Sequence, residues 1–136
     1  DEAYLNVVVN TDSGWMDTTW GASARLAQSY DTVVVTDQVG NVLFGQGTEG
    51  ALQGSIDQIY PAASVMLQQL SHAIDATGDA STIGNYAEDK NGLLALAAIS
   101  IHKTGDAPSI TADKRRILWL GAVPTAAPRG RMREKS

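Results

Sequence analysis

Hydrophobic and polar positions alternate with two different periods along the chain, and the changes of period divide it into elements. From Ala3 to Tyr30 a heptad-like stripe runs through Leu5, Val8, Asp12, Trp15, Thr19, Ala22 and Leu26, with Val9, Met16, Trp20, Ser23 and Ala27 beside it. This spacing predicts a long helix with a broad apolar face. The run Val7–Val9 pulls toward strand, and Gly14 and Gly21 each weaken a helix interior by about 1 kcal/mol. A break is therefore expected near "NTDSG", with Asp12 or Ser13 as helix cap. The period then shortens to two. "DTVVVTDQVGNVLFGQG" predicts strands over 32–36 and 41–46, joined by a turn built on Asp37, Gly40 and Asn41. "TEGALQGSIDQIY" reads as a glycine-bearing connection. Beyond it, Pro61 fits the first turn of a helix whose apolar positions are Ala62, Ala63, Met66, Leu67, Leu70, Ala73 and Ile74, closed by Gly78. Three strands follow, over 82–88, 93–102 and 116–123, the first two joined through Asn91-Gly92. The last two are apolar on both alternations and should be covered on both faces. The order is helix-strand-strand-helix-strand-strand-strand, an α+β pattern.

With 136 residues this is one domain, and 43% hydrophobic residues suffice for a core. An aromatic share of only 6% with 13 glycines points to small-residue packing and tight turns. The net charge of −5 is unevenly spread. Residues 129–136 hold four basic side chains against one acid, so residues 1–128 carry six Lys/Arg against fourteen Asp/Glu, a net of −8. Residues 1–128 are read as the folded domain and 129–136 as a basic tail, linker or cloning remnant. An acidic body with scattered cations lacks the basic face that nucleic-acid binding requires. The absence of cysteine excludes thiolate metal sites, disulfides and cysteine nucleophiles. The apolar runs "GLLALAAISI" and "ILWLGAV" are shorter than the roughly 20 residues of a membrane span.

Catalytic and metal chemistry find little support. His72 and His102 stand without ligand spacing, and neither a G-x-S-x-G elbow nor a phosphate loop is present. "GTEGALQGS" has glycines but lacks the Gly-Lys-Ser/Thr ending. The carboxylates Glu88-Asp89 and Asp12/Asp17 sit on turns rather than across a cleft. No cofactor and no metal is expected. The aromatic residues carry more information. Trp15 and Trp20 lie about 140° apart on an ideal α-helix, so both border a wide face but cannot share its centre. Plain packing explains them. The functional alternative places Trp15, Asp17 and Trp20 with Tyr30, Tyr60 and Tyr86 around a small-molecule pocket between helix and sheet, where an acid beside aromatic faces suits an amine or other cationic ligand.

The pattern Asp12-x-x-Trp15-x-Asp17-x-x-Trp20, then Tyr30-Asp31-Thr32-Val33-Val34-Val35 and the turn from Asp37 to Gly45, resembles the fourth class of the CHASE family of bacterial extracytoplasmic sensor domains, within the Cache superfamily. Asn91–Ile99 and Arg116–Gly121 resemble that family's last strands. The resemblance spans nearly the whole chain. It implies a PAS-like, Cache-type fold, with a long N-terminal helix packed on a central antiparallel sheet of about five strands, and it decides Val7–Val9 in favour of helix. It also implies a function: ligand sensing outside the inner membrane, in the periplasm, by part of a transmembrane receptor. The cytoplasmic output would be a cyclic-di-GMP enzyme or a histidine kinase. The chain would then be an excised sensor that binds a small molecule and passes a conformational change to membrane helices. The family supplies no universal ligand and no catalytic residue.

The apolar stripe of the first helix could also form the seam of a homodimer, although Asp12 and Thr19 interrupt it. A second reading is a non-catalytic protein-interaction module of profilin-like or roadblock-like topology. A third is a small enzyme using scattered Asp, His and Tyr.

Overall fold

In the computed structural model, which describes residues 2–27, 29–77, 82–89, 92–101 and 115–123, five strands form one antiparallel sheet. They are β1 (Thr32–Asp37), β2 (Val42–Gly47), β3 (Thr82–Asp89), β4 (Gly92–Ile101) and β5 (Arg116–Ala122), in the spatial order β2-β1-β5-β4-β3. All five fall where the alternation predicts them. The β1–β2 turn uses the expected residues. Asp37 Oδ1 accepts from the Val39 and Asn41 amides at 3.0 and 2.9 Å, and Gly40 takes φ +100°. The last strand, β5, enters the middle of the sheet between β1 and β4. A five-stranded antiparallel sheet with an N-terminal helical segment packed on it and helices between β2 and β3 is the PAS-like arrangement that the resemblance implies.

One face packs against the long helix Ala63–Thr77 and the short helix Ile56–Ile59. Ala63, Met66, Leu70 and Ile74 recur at helical spacing and bury against Val34, Leu94, Leu96, Ala98, Ile117 and Trp119. Trp119 is fully buried, and its indole N–H donates to Thr36 Oγ1 at 3.0 Å, which satisfies the one polar atom that burial would otherwise penalise.

The opposite face packs against the N-terminal segment, where Val7, Val8, Met16 and Ala24 bury on Val33, Val35, Ile101 and Leu118. The expected helix is present but divided, as the "NTDSG" reading allows. A π-wound stretch, Tyr4–Val9, ends before Asp12, whose carboxylate caps the next stretch by accepting from the Trp15 amide at 3.0 Å. Helix then runs as Ser13–Met16, a second π-wound stretch Asp17–Gly21, and Ala22–Arg25. Gly21 is where this segment closes on the sheet, since a Cβ there would lie 3.1 Å from the Phe44 ring and 2.6 Å from Asp17 Oδ1.

Two expectations are corrected. The connection before Pro61 contains a helix, Ile56–Ile59, opened by a reciprocal Ser55/Gln58 capping box. β4 is covered on only one face over part of its length, for Leu93 and Ala95 are exposed. Gly78, the Lys90-Asn91 part of the turn, His102 and the tail 129–136 lie outside the described residues.

Candidate functional site

A cavity of about 500 Å³ opens beside the end of β2. Its walls are Thr32 at the start of β1, the loop Gly47–Leu52, and Gln58, Ile59 and Tyr60 from the short helix and its exit. Local chemistry fixes each wall. Leu52 donates its amide to the Gly45 carbonyl at 3.0 Å and Gly47 donates to Gly50 at 2.8 Å, so the loop doubles back along the outer edge of β2. Such a return needs glycine at position 45, where a Cβ would stand 2.6 Å from the Leu52 carbonyl oxygen. Gln58 is anchored by the helix cap, its Oε1 accepting from the Ser55 amide at 3.2 Å. Tyr60 is 1% exposed, and its hydroxyl comes up against Gly121, where a Cβ would stand 3.3 Å from it.

Among the described residues, the ten that line the cavity carry one carboxylate, Glu49, and no Lys, Arg or His. Polar Thr32, Thr48, Gln58 and Tyr60 line it together with apolar Ala51, Leu52 and Ile59. Such a wall suits a small neutral or cationic molecule with several hydrogen-bonding groups, and disfavours an anion.

The cavity loop is tied to the N-terminal segment by a short polar chain. Buried Gln46 donates Nε2 to the Gly47 carbonyl at 2.8 Å, and its Oε1 accepts from Arg25 Nη1 at 3.2 Å. Arg25 also donates to Asp17 Oδ1 at 2.6 Å. The guanidinium holds the Asp17 carboxyl below its ordinary range, chiefly through that hydrogen bond, and the Arg25 pKa is raised by the same contact. Gly47 is thus joined to Asp17 through two side chains, Gln46 and Arg25.

A second concavity, also about 500 Å³, lies on the opposite sheet face, where the N-terminal segment stops short of β3 and of the first half of β4. Small residues floor it, Gly84, Ala95, Ala97 and Ala122, and Tyr30, Tyr86 and Leu120 wall it.

The six side chains singled out from the sequence are thus divided. Tyr60 lines the first cavity, Tyr30 and Tyr86 the second, and Trp15, Asp17 and Trp20 line neither. Trp15 and Trp20 meet edge to face, with ring centroids 5.2 Å apart and planes at 81°. The π-wound stretch makes this possible, because its i→i+5 bonding brings residues five apart onto one side, whereas an α-helix separates them by about 140°. Both rings pack partly buried against the core that includes Met16 and Val33. Asp17 is held by Arg25, so the acid expected beside the aromatics is engaged within the chain. Reasoning from sequence missed Thr32, Gly47–Leu52 and Gln58–Ile59. The signal for the last pair was the Ser-x-x-Gln spacing of Ser55 and Gln58.

Among the described residues, no group of His, Cys, Asp or Glu could hold a metal ion, and no helix is long and apolar enough to cross a membrane. No protein-family model and no curated protein matches the chain. Similar solved structures include the PAS domain of the Cronobacter turicensis RpfR quorum-sensing receptor in complex with C12:0, at 9% identity and a TM-score of 0.46, covering 72% of this chain and 97% of that one. A PAS domain from Colwellia psychrerythraea matches at 14% identity and a TM-score of 0.45, over 73% of this chain and 93% of its own. The PAS domain of an HTR-like protein from Haloarcula marismortui matches at 14% identity and 0.41, over 79% and 93%.

Proposed function

We propose that the chain is a non-catalytic small-molecule sensing domain whose ligand occupies the cavity between Thr32, the Gly47–Leu52 loop and Tyr60. The observation that carries this reading is the continuity from that cavity to the N-terminal segment: Gly47 forms its wall, Gln46 holds Gly47, and Arg25 holds Gln46. A ligand that favours one position of the loop would favour one position of Arg25, by no more than its difference in affinity for the two. The described part of the lining is polar and holds no cation, which favours an amine-bearing or neutral hydrogen-bonding ligand.

The resemblance to the CHASE family, carried by Asp12, Trp15, Asp17, Trp20 and the Tyr30–Gly45 stretch, supports a finer proposal. In it the domain lies outside the inner membrane of a bacterium, within a receptor that has a cyclic-di-GMP enzyme or histidine kinase output. The N-terminal segment is then the element that relays the change toward the membrane.

A thermal-shift screen against amines, amino acids, organic acids and nucleobases tests the binding reading, since a ligand of the native state raises Tm. At 100 times its Kd a true ligand stabilises by about 2.7 kcal/mol. The exposed cavity residue Ala51 supplies the control: Ala51→Phe should keep the fold and lose the shift. Hits from none of the four classes, or hits that survive Ala51→Phe, contradict the site.

A further inference from the structure

β3 is an edge strand, and no described strand pairs with its outer side. The Tyr86 amide donates to Asn85 Oδ1 at 2.8 Å, so it points away from β4. Alternation along an antiparallel strand turns the amides of Thr82 and Gly84 outward as well. The side chains at these three positions share the sheet face that carries the small-residue concavity, with Gly84 across from Ala97 and Tyr86 across from Ala95. Nothing among the described residues requires glycine at position 84. Its backbone is outside the left-handed region, and a Cβ would meet only the Leu96 carbonyl oxygen, at 3.9 Å. A glycine inside a strand costs stability and marks a place where another group comes close.

We propose that β3 pairs antiparallel with β3 of a second copy about a two-fold axis through Asn85, so that the partner's Tyr86 lies over Gly84 and closes the concavity. The register follows from parity. An axis through Asn85 sets Gly84 opposite the partner's Tyr86 on the same face, and both present outward amides and carbonyls, so the two residues exchange a pair of N–H to O=C bonds. An axis through Gly84 would stack glycine on glycine and leave the concavity open. Tyr86 is 63% exposed in the single chain, a large aromatic surface that the partner's Gly84 would cover. Around the proposed axis the edge reads Thr-Ile-Gly-Asn-Tyr-Ala, without charge or proline, and the acids Glu88 and Asp89 stand only at the strand's end. Asn85 Oδ1 satisfies the Tyr86 amide while the edge is free, and the partner's Gly84 carbonyl replaces it on pairing. One strand pair and two rings make a small interface, so the dimer is concentration-dependent.

The chain has no cysteine, so Asn85→Cys introduces a single thiol. On the two-fold axis the two residues form a non-hydrogen-bonded pair with Cα atoms about 4.5 Å apart, within disulfide reach. Under mild oxidation N85C should give a covalent dimer, while Gln53→Cys, exposed at the other end of the sheet, should stay monomeric over the same time. Sedimentation velocity of the unmodified protein should move toward dimer as concentration rises. Adding Gly84→Val or Tyr86→Ala to N85C should abolish the covalent dimer, with circular dichroism unchanged because position 84 has room for the added side chain. The proposal is overturned if N85C cross-links no faster than Q53C, if the folded Gly84→Val variant keeps its cross-link, or if the unmodified protein stays monomeric at every concentration.

Discussion

The two faces of the sheet are covered by different means. On one, a 15-residue helix of regular period lays Met66, Leu70 and Ile74 on Trp119 and Ile117, beside the short helix Ile56–Ile59. On the other, short and partly π-wound stretches cover β1, β5 and the end of β4, and leave Ala95, Gly84 and Tyr86 open. The first face has the density of a core, where each fully buried apolar side chain contributes about 1.5–3 kcal/mol. The second is held by fewer contacts and by a polar tie through Arg25, which suits an element that shifts when a ligand binds. The denser core lies on one face, and the proposed relay runs through the other.

Substitutions can separate the two roles. The largest loss is expected for Trp119→Ala, which empties the dense face and orphans Thr36: denaturant unfolding should show a fall of about 3–5 kcal/mol. Gly45→Val drives a side chain into the Leu52 carbonyl, so stability should fall by about 1–3 kcal/mol. The same variant displaces the cavity loop, and ligand-induced thermal shifts should vanish with it. Trp15→Ala, on the thinner face, removes a partly buried ring and its edge-to-face partner, and roughly 1–2 kcal/mol should be lost. Equal losses for Trp119→Ala and Trp15→Ala would erase the difference between the faces.

The smallest effect concerns pH. The folded-state pKa of Asp17 is lowered by Arg25, so its contribution is present above the ordinary carboxyl value of 3.8 and is lost as pH falls through the lower folded value. The pair is partly exposed, and the change should be slight and weakened by salt. Asp17→Asn should remove that acid limb from the stability profile. An Asp17→Asn profile identical to the parent's at low salt would show that the pair contributes nothing.

The strands and the long helix were legible because their information is local. Val33–Val35 between Asp31 and the Asp37–Asn41 turn, and the Met66–Leu70–Ile74 repeat, declare period and boundaries without reference to the rest of the chain. The meeting of Trp15 with Trp20 was not legible, for an α-helical ruler separates residues five apart and only the π-wound backbone unites them. Asp17 and Arg25, eight apart, likewise fall outside the i,i+3 and i,i+4 pairs that helix rules cover. The cavity was hidden for another reason. Thr32, Gly47 and Tyr60 come from separate elements, and nothing in their own neighbourhoods announces that β5, the last strand, will place Gly121 beneath the Tyr60 hydroxyl. Aromatic content pointed at Tyr60, Tyr30 and Tyr86 but could not say that they divide between two sites.

The most direct test is a heteronuclear NMR titration of the backbone amides with the best compound of the thermal-shift screen, repeated on Gln46→Leu. Perturbations are predicted over Gly47–Leu52, Ile59 and Tyr60 and also at Arg25, with the Arg25 response lost in Gln46→Leu while the cavity response persists. Perturbations confined to Tyr30, Tyr86 and Ala95, or an Arg25 response indifferent to Gln46→Leu, would contradict the account.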